Sequence, residues 1–181
     1  MRRREPGYRL VLYIDGASRG NPGRAGAGIR ITNGEGKKMS EVSRYLGHKT
    51  NNEAEYWALL LGLREANRLG GDILQVLTDS ELIERQIKGV YRVKNLNLKA
   101  LHNTAVQNLK TFSSFEISSI PREENKEADR LANQAIERRI AKEKGKGGTE
   151  GKQMVAPSED EKGRKVRAPQ GRVVRNTDCP L

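Results

Sequence analysis

Cysteine occurs once in the chain, at Cys179, which excludes an internal disulfide framework and any zinc site built on cysteine. Histidine occurs twice, at His48 and His102, too seldom for a histidine-rich metal site. Aromatic residues make up 4% of the sequence, so a stacking platform for single-stranded nucleic acid has little to build on. No apolar run approaches the roughly 20 residues of a membrane span. The basic start Met1-Arg2-Arg3-Arg4 leads into Glu5-Pro6-Gly7 rather than into an apolar signal segment. A reducing, cytoplasmic setting with no membrane partner is therefore the expectation.

What is present is charge. Charged residues account for 31% of the 181 positions, and 34 Lys and Arg against 23 Asp and Glu give a formal net charge of +11. Such a balance favours a polyanionic partner, nucleic acid first. The length suits one domain with a real core. From Lys144 onward, Lys144-Gly145-Lys146-Gly147-Gly148 and the stretch containing Pro157, Pro169 and Pro180 show no periodicity and no core formers. The expected organisation is a basic N-terminal extension over residues 1–7, a folded domain over 8–143, and a basic, disordered tail over 144–181.

Within the domain, Val11-Leu12-Tyr13-Ile14 reads as a buried strand that ends at Asp15, with a glycine-rich turn (Gly16, Gly20, Gly23) directly after it. Residues 27–32 form a second strand, Asn33-Gly34-Glu35-Gly36 a hairpin signal, and residues 37–46 the returning strand. Further strands are expected at 72–78 and 115–120, and helices at 51–69, 80–88, 98–110 and 124–142. An antiparallel meander followed by alternating helices and strands implies an α/β fold with a mixed five-stranded sheet flanked by helices.

Four acids sit where acids are costly or conspicuous. Thr50 followed three residues later by Glu53 is a capping box, so a helix starts there. Winding that helix at 3.6 residues per turn puts Glu55 in line with Leu59, Gly62, Ala66 and Leu69, on the inward stripe. A buried carboxylate costs several kcal/mol unless something positive meets it. Asp15 and Asp79 each follow an apolar strand, which places both at one edge of the sheet, where α/β folds keep their sites. Taken alone, Asp15-Gly16 reads equally as a turn and Asp79 as a helix cap. Asp129 borders the apolar stripe of Ala128, Leu131, Ala132, Ala135 and Ile136, where a solvated acid is ordinary. Together the four suggest hard-metal chemistry, because Mg²⁺ binds through a few carboxylates plus substrate phosphate. No Ser/His/Asp set competes, and no Walker-type lysine follows the glycine turn.

Ile14-Asp15-Gly16 through Gly20-Asn21-Pro22-Gly23, then Thr50-Asn51-Asn52-Glu53-Ala54-Glu55, Thr78-Asp79-Ser80 and Asn125-Lys126-Glu127-Ala128-Asp129 together resemble the four motifs of type 1 ribonuclease H. Any one of them is weak; four in order are specific, and the resemblance covers residues 8–140. It implies a ribonuclease H-like fold and endonucleolytic cleavage of the RNA strand of an RNA–DNA hybrid, leaving 5′-phosphate and 3′-hydroxyl ends. Double-stranded RNA is a second candidate substrate. Asp15, Glu55, Asp79 and Asp129 would hold two Mg²⁺ ions, with Mn²⁺ as a substitute, in a monomer that needs no small-molecule cofactor. Gly16, Asn21, Thr50, Asn51 and Asn52 would contact nucleic acid, the asparagines in the minor groove and Thr50 at a DNA-strand phosphate.

Two departures stand out. Many bacterial relatives carry a histidine in the loop before the last aspartate, whereas the chain reads Ile120-Pro121-Arg122-Glu123-Glu124-Asn125. Arg122 stands in its place and, staying protonated, would act electrostatically or in product release rather than as a base. The family's aromatic-rich basic handle is missing between Gly89 and Leu98, where only Tyr91-Arg92-Val93-Lys94-Asn95 is found. Two other readings stay open on the sequence: a non-catalytic nucleic-acid-binding module, and a resolvase or exonuclease on a related sheet.

Overall fold

The computed structural model describes residues 7–146. The expected N-terminal extension and tail lie outside the described residues, apart from Gly7 and residues 144–146. The elements run β1 (Arg9–Gly20), β2 (Gly23–Asn33), β3 (Lys38–Lys49), α1 (Asn51–Arg68), β4 (Ile73–Thr78), α2 (Glu81–Ile87), α3 (Leu96–Leu109), β5 (Ser114–Ser119) and α4 (Lys126–Lys146). A 3₁₀ turn at Arg122–Glu124 precedes α4. The sheet order is β3-β2-β1-β4-β5, with β1 to β3 antiparallel and β4 and β5 parallel to β1. This is the mixed five-stranded α/β sheet expected from the sequence.

Strand alternation divides the sheet into two unlike faces. Leu10, Leu12 and Ile14 of β1 and Ala27, Ile29 and Ile31 of β2 are at most 1% exposed, and they form one core with Tyr56, Leu59 and Leu63 of α1. Each fully buried Leu or Ile contributes about 1.5–3 kcal/mol, so this face supplies most of the drive to fold. The other face of β1 to β3 receives α4 through the small residues Ala128, Ala132 and Ala135 with Leu131 and Ile136. Among the described residues, no helix is long and apolar enough to cross a membrane.

One local expectation fails. Asp15-Gly16 does not open a turn: β1 continues through both to Gly20, and the reversal is made by Gly20 to Gly23 around a cis Asn21–Pro22 bond. The glycine at 16 answers a spatial demand rather than a conformational one. A Cβ there would sit 2.2 Å from the backbone nitrogen of Glu55 in α1. On β2, a Cβ at Gly28 would meet the carbonyl oxygen of Ala128 at 1.9 Å, and one at Gly26 that of Ala132 at 2.3 Å. Gly16 pairs with Ala27, and Asp15 with Gly28. Cross-strand partners share a face, so Gly16 admits α1 from one side while Gly28 admits α4 from the other.

The larger of the other differences are extensions, while α4 begins at Lys126 rather than at 124 because residues 122–124 form the 3₁₀ turn. β2 and β3 run past the expected 27–32 and 37–46 because the pairs Gly23–Lys49 and Arg24–His48 continue the ladder beyond the apolar stretch. α4 runs three residues beyond the expected boundary at 143. Glu143 is bound by Arg139 one turn back at 2.8 Å and by Arg24 of β2 at 2.8 Å, which holds the last turns in place.

Gly28→Ala is expected to lower the free energy of unfolding by about 2 kcal/mol or more, the scale of overpacking in a closed contact. Gly34→Ala is the control, since its nearest neighbour would be a flexible Arg9 side chain at 3.7 Å. Urea denaturation of both variants checks this; equal midpoints would contradict the close approach of α4.

Candidate active site

The register assembles the site. Ile14 of β1 is opposite Thr78 of β4 in the parallel ladder, so the next residues, Asp15 within β1 and Asp79 just past the end of β4, lie at the same level. Glu55 enters from α1 above Gly16, and Asp129 from α4 one residue after Ala128, whose carbonyl lies against Gly28. Asp15 is 9% exposed, and the other three are half-buried. All four acids expected from the sequence therefore meet at one end of the sheet.

Three of the four carboxylates, Glu55, Asp79 and Asp129, accept from protein side chains. Glu55 accepts from the Asn51 amide at 3.0 Å and from the Ser80 hydroxyl at 2.6 Å. The same hydroxyl caps α2 by accepting from the Ile83 backbone N–H at 3.4 Å, so the start of α2 and the position of Glu55 are set together. Asn125 is 1% exposed and donates through one nitrogen to the Ile14 carbonyl at 2.9 Å and to Asp79 Oδ1 at 3.0 Å. Its own backbone carbonyl accepts from the Asp129 N–H at 3.1 Å. A single buried side chain thus ties β1, the end of β4 and the start of α4. Asp129 accepts from Arg122 at 2.7 Å and from Asn133 at 3.3 Å.

The expected nucleic-acid contacts form a ledge beside Glu55. Asn21 Oδ1, in the β1–β2 turn, accepts from the Asn51 backbone N–H at 3.3 Å. Thr50 closes the capping box: its hydroxyl accepts from the Glu53 N–H at 3.2 Å and donates to Glu53 Oε2 at 2.9 Å. Its backbone N–H also donates to Glu53, and this bond is the main reason the Glu53 carboxyl is held below its ordinary range. The Thr50 hydroxyl proton is already committed to the cap, so anions at this helix start meet backbone N–H groups. Asn52 lies half-buried in the first turn. The connection over residues 88–95 carries no helix; Tyr91 lies under the Arg85 guanidinium at 5.1 Å, and Arg92 and Lys94 are exposed.

Ser80 and Asn125 are the residues that sequence reasoning did not assign to the site. Both fall inside the quoted motifs, but their partners lie 25 and up to 111 positions away, and no local pattern signals such bonds.

The electrostatics follow from the packing. Burial raises Asp15 to about 7, and repulsion from Asp79, Asp129 and Glu55 adds to it; Arg122 opposes. Burial likewise raises Glu55 to about 7 against the pull of Ser80, with Asp79 repulsion adding. Among the described residues, no three acids, histidines or cysteines close into a preformed metal cage. The donor set is all oxygen, crowded and partly protonated near neutrality. It fits a hard divalent cation whose remaining positions are filled by water and phosphate oxygens.

The model of the reverse transcriptase-like family matches residues 13–135. Ribonuclease HI of Halobacterium salinarum is 38% identical over 131 residues, 72% of this chain and 66% of that protein. A bifunctional protein of Mycobacterium tuberculosis is 38% identical over 130 residues, 71% of this chain but 36% of its own length. The chain therefore spans just under two thirds of the first relative and about a third of the second. The crystal structure of the Halobacterium RNase H1 superposes with a TM-score of 0.70 at 38% identity, over 71% of this chain and 98% of that one. LC11-RNase H1, solved in complex with an RNA/DNA hybrid, gives 0.69 at 39% identity, over 72% and 99%.

The raised carboxyls set a pH dependence. Between the ordinary carboxylate range and about 7, the folded metal-free protein holds protons on Asp15 and Glu55 that the unfolded chain has released, so stability falls as pH rises through that window. In EDTA the melting temperature is expected to be lower at about pH 8 than at about pH 5.5. Asp15→Asn should flatten that slope and melt above the native sequence at the higher pH. Calorimetric scans at both pH values check this, and an unchanged slope in the variant would contradict it.

Proposed function

The chain belongs to the reverse transcriptase-like family, the family of type 1 ribonuclease H domains, and from that membership we propose that it is an endonuclease cleaving the RNA strand of RNA–DNA hybrids at the Asp15–Glu55–Asp79–Asp129 cluster. The observation that carries this reading is the convergence of four carboxylates from β1, α1, the end of β4 and α4, two of them raised to about 7. These four acids would hold Mg²⁺, two ions per site, with Mn²⁺ as a working substitute. When bound, the ions supply Lewis acidity for attack of a water on the scissile phosphodiester and for departure of the 3′-oxygen.

The chain's own residues supply recognition and orientation. Glu55 is an acceptor beside the Asn21–Asn51 ledge, and an RNA 2′-hydroxyl donating to it distinguishes RNA from DNA. The amides of Asn21, Asn51 and Asn52 suit the minor-groove edges, where acceptors recur at every base pair. Ser80 and Asn125 keep Glu55 and Asp79 aimed at the common point. Arg122 remains charged and acts on phosphate oxygens rather than as a base. In the balanced reaction, the water oxygen bonds to phosphorus, the P–O3′ bond breaks and a proton ends on O3′, giving 5′-phosphate and 3′-hydroxyl products.

Asp79→Asn and Glu55→Gln are each expected to lower cleavage of an end-labelled hybrid by about a hundredfold or more, the scale for removing one preorganised electrostatic group. EDTA should abolish it, and matched duplex RNA in the same gel reports the second substrate. Full activity in either variant, or in EDTA, would overturn the proposal.

A further inference from the structure

Two of the four acids are held by neutral side-chain donors, Glu55 by Asn51 and Ser80 and Asp79 by Asn125. Asp129 differs. Its Oδ1 accepts from the Arg122 guanidinium at 2.7 Å, and among the described residues this is the one ion pair made by the cluster. We propose that Arg122 is an internal counter-ion of the metal-free site, occupying the Asp129 oxygen that a divalent cation takes, so that the two compete for it. The inference rests on the metal-dependent reading above.

Three features make the arginine exchangeable rather than structural. Its side chain is 73% exposed and that of Asp129 is 28% exposed, so water stands ready to replace either partner. Exposed pairs of this kind are weak and readily broken. A cleft of about 260 Å³ lined by Arg122, Glu123, Lys126 and Asp129 gives the guanidinium room to swing without backbone movement. The 3₁₀ turn over Arg122–Glu124 anchors the residue by its backbone, since the Asn125 N–H donates to the Arg122 carbonyl at 3.0 Å. A guanidinium and a divalent ion on one carboxylate oxygen repel, so occupancy by one excludes the other. The same charge also reaches Asp15 and Asp79, which spreads the neutralisation over the cluster.

The test is calorimetric titration of hybrid-free protein with MnCl₂. Arg122→Ala is expected to bind Mn²⁺ about two- to fivefold more tightly than the native sequence, the range set by losing a weak exposed pair. Lys126→Ala removes the same charge from the same cleft without breaking an Asp129 contact, and should change the affinity much less. Equal or weaker binding in Arg122→Ala, or an equal gain in Lys126→Ala, overturns the inference. If the native protein shows no Mn²⁺ binding that Asp79→Asn removes, the metal-dependent reading fails as well. If native binding is present and Arg122→Ala leaves it unchanged, the competition alone fails. Melting temperatures of the variants, both changed at exposed side chains, confirm that folding is intact.

Discussion

Two helices approach the backbone of one sheet from opposite sides, closer than a single methyl group would allow. Gly16 lets the start of α1 rest on β1, and Gly26 with Gly28 lets α4 rest on β2. Because Gly28 is opposite Asp15, the glycine that admits α4 is also the one that brings Asp129 to Asp15. Because Gly16 follows Asp15, the glycine that admits α1 brings Glu55. The parallel pairing of Ile14 with Thr78 delivers Asp79 to the same level. Four acids from distant parts of the chain meet through backbone proximity that no side chain obstructs.

That convergence opposes stability. Asp15 is buried among three other acids, and burial with their repulsion holds it near neutrality. The offset comes from elsewhere: the Leu10–Leu12–Ile14 face of β1 packs against Tyr56, Leu59 and Leu63, and Asn125 ties three elements with one amide. A well-packed face on one side of the central strands therefore keeps a repulsive cluster in place beside it. Functional sites commonly carry such a stability–activity conflict. In the proposed function, divalent ions and a sugar-phosphate chain would relieve that repulsion rather than add to a finished structure.

Much of this was legible in the residues, for physical reasons that differ from place to place. Glu55 was legible because the capping box at Thr50 fixes where α1 begins, and the helical period then fixes which way the acid faces. Asp15 and Asp79 were legible because each interrupts the end of an apolar run. Gly16 was misread as a turn, since a glycine that removes a Cβ looks the same in sequence as one that supplies a left-handed backbone; of Gly16, Gly20 and Gly23, Gly20 alone, with φ of +107°, is of the second kind. Ser80 and Asn125 escaped for another reason. Their roles depend on partners in other elements, and long-range hydrogen bonds leave no periodicity behind.

Carbon-13 NMR titration of the carboxyl groups in metal-free protein tests the stored repulsion most directly. Asp15 and Glu55 should titrate at about 7, and added Mg²⁺ should draw both midpoints down. Midpoints near the ordinary value of about 4 for both, unmoved by Mg²⁺, would contradict both the crowded, buried cluster and the proposed cation binding.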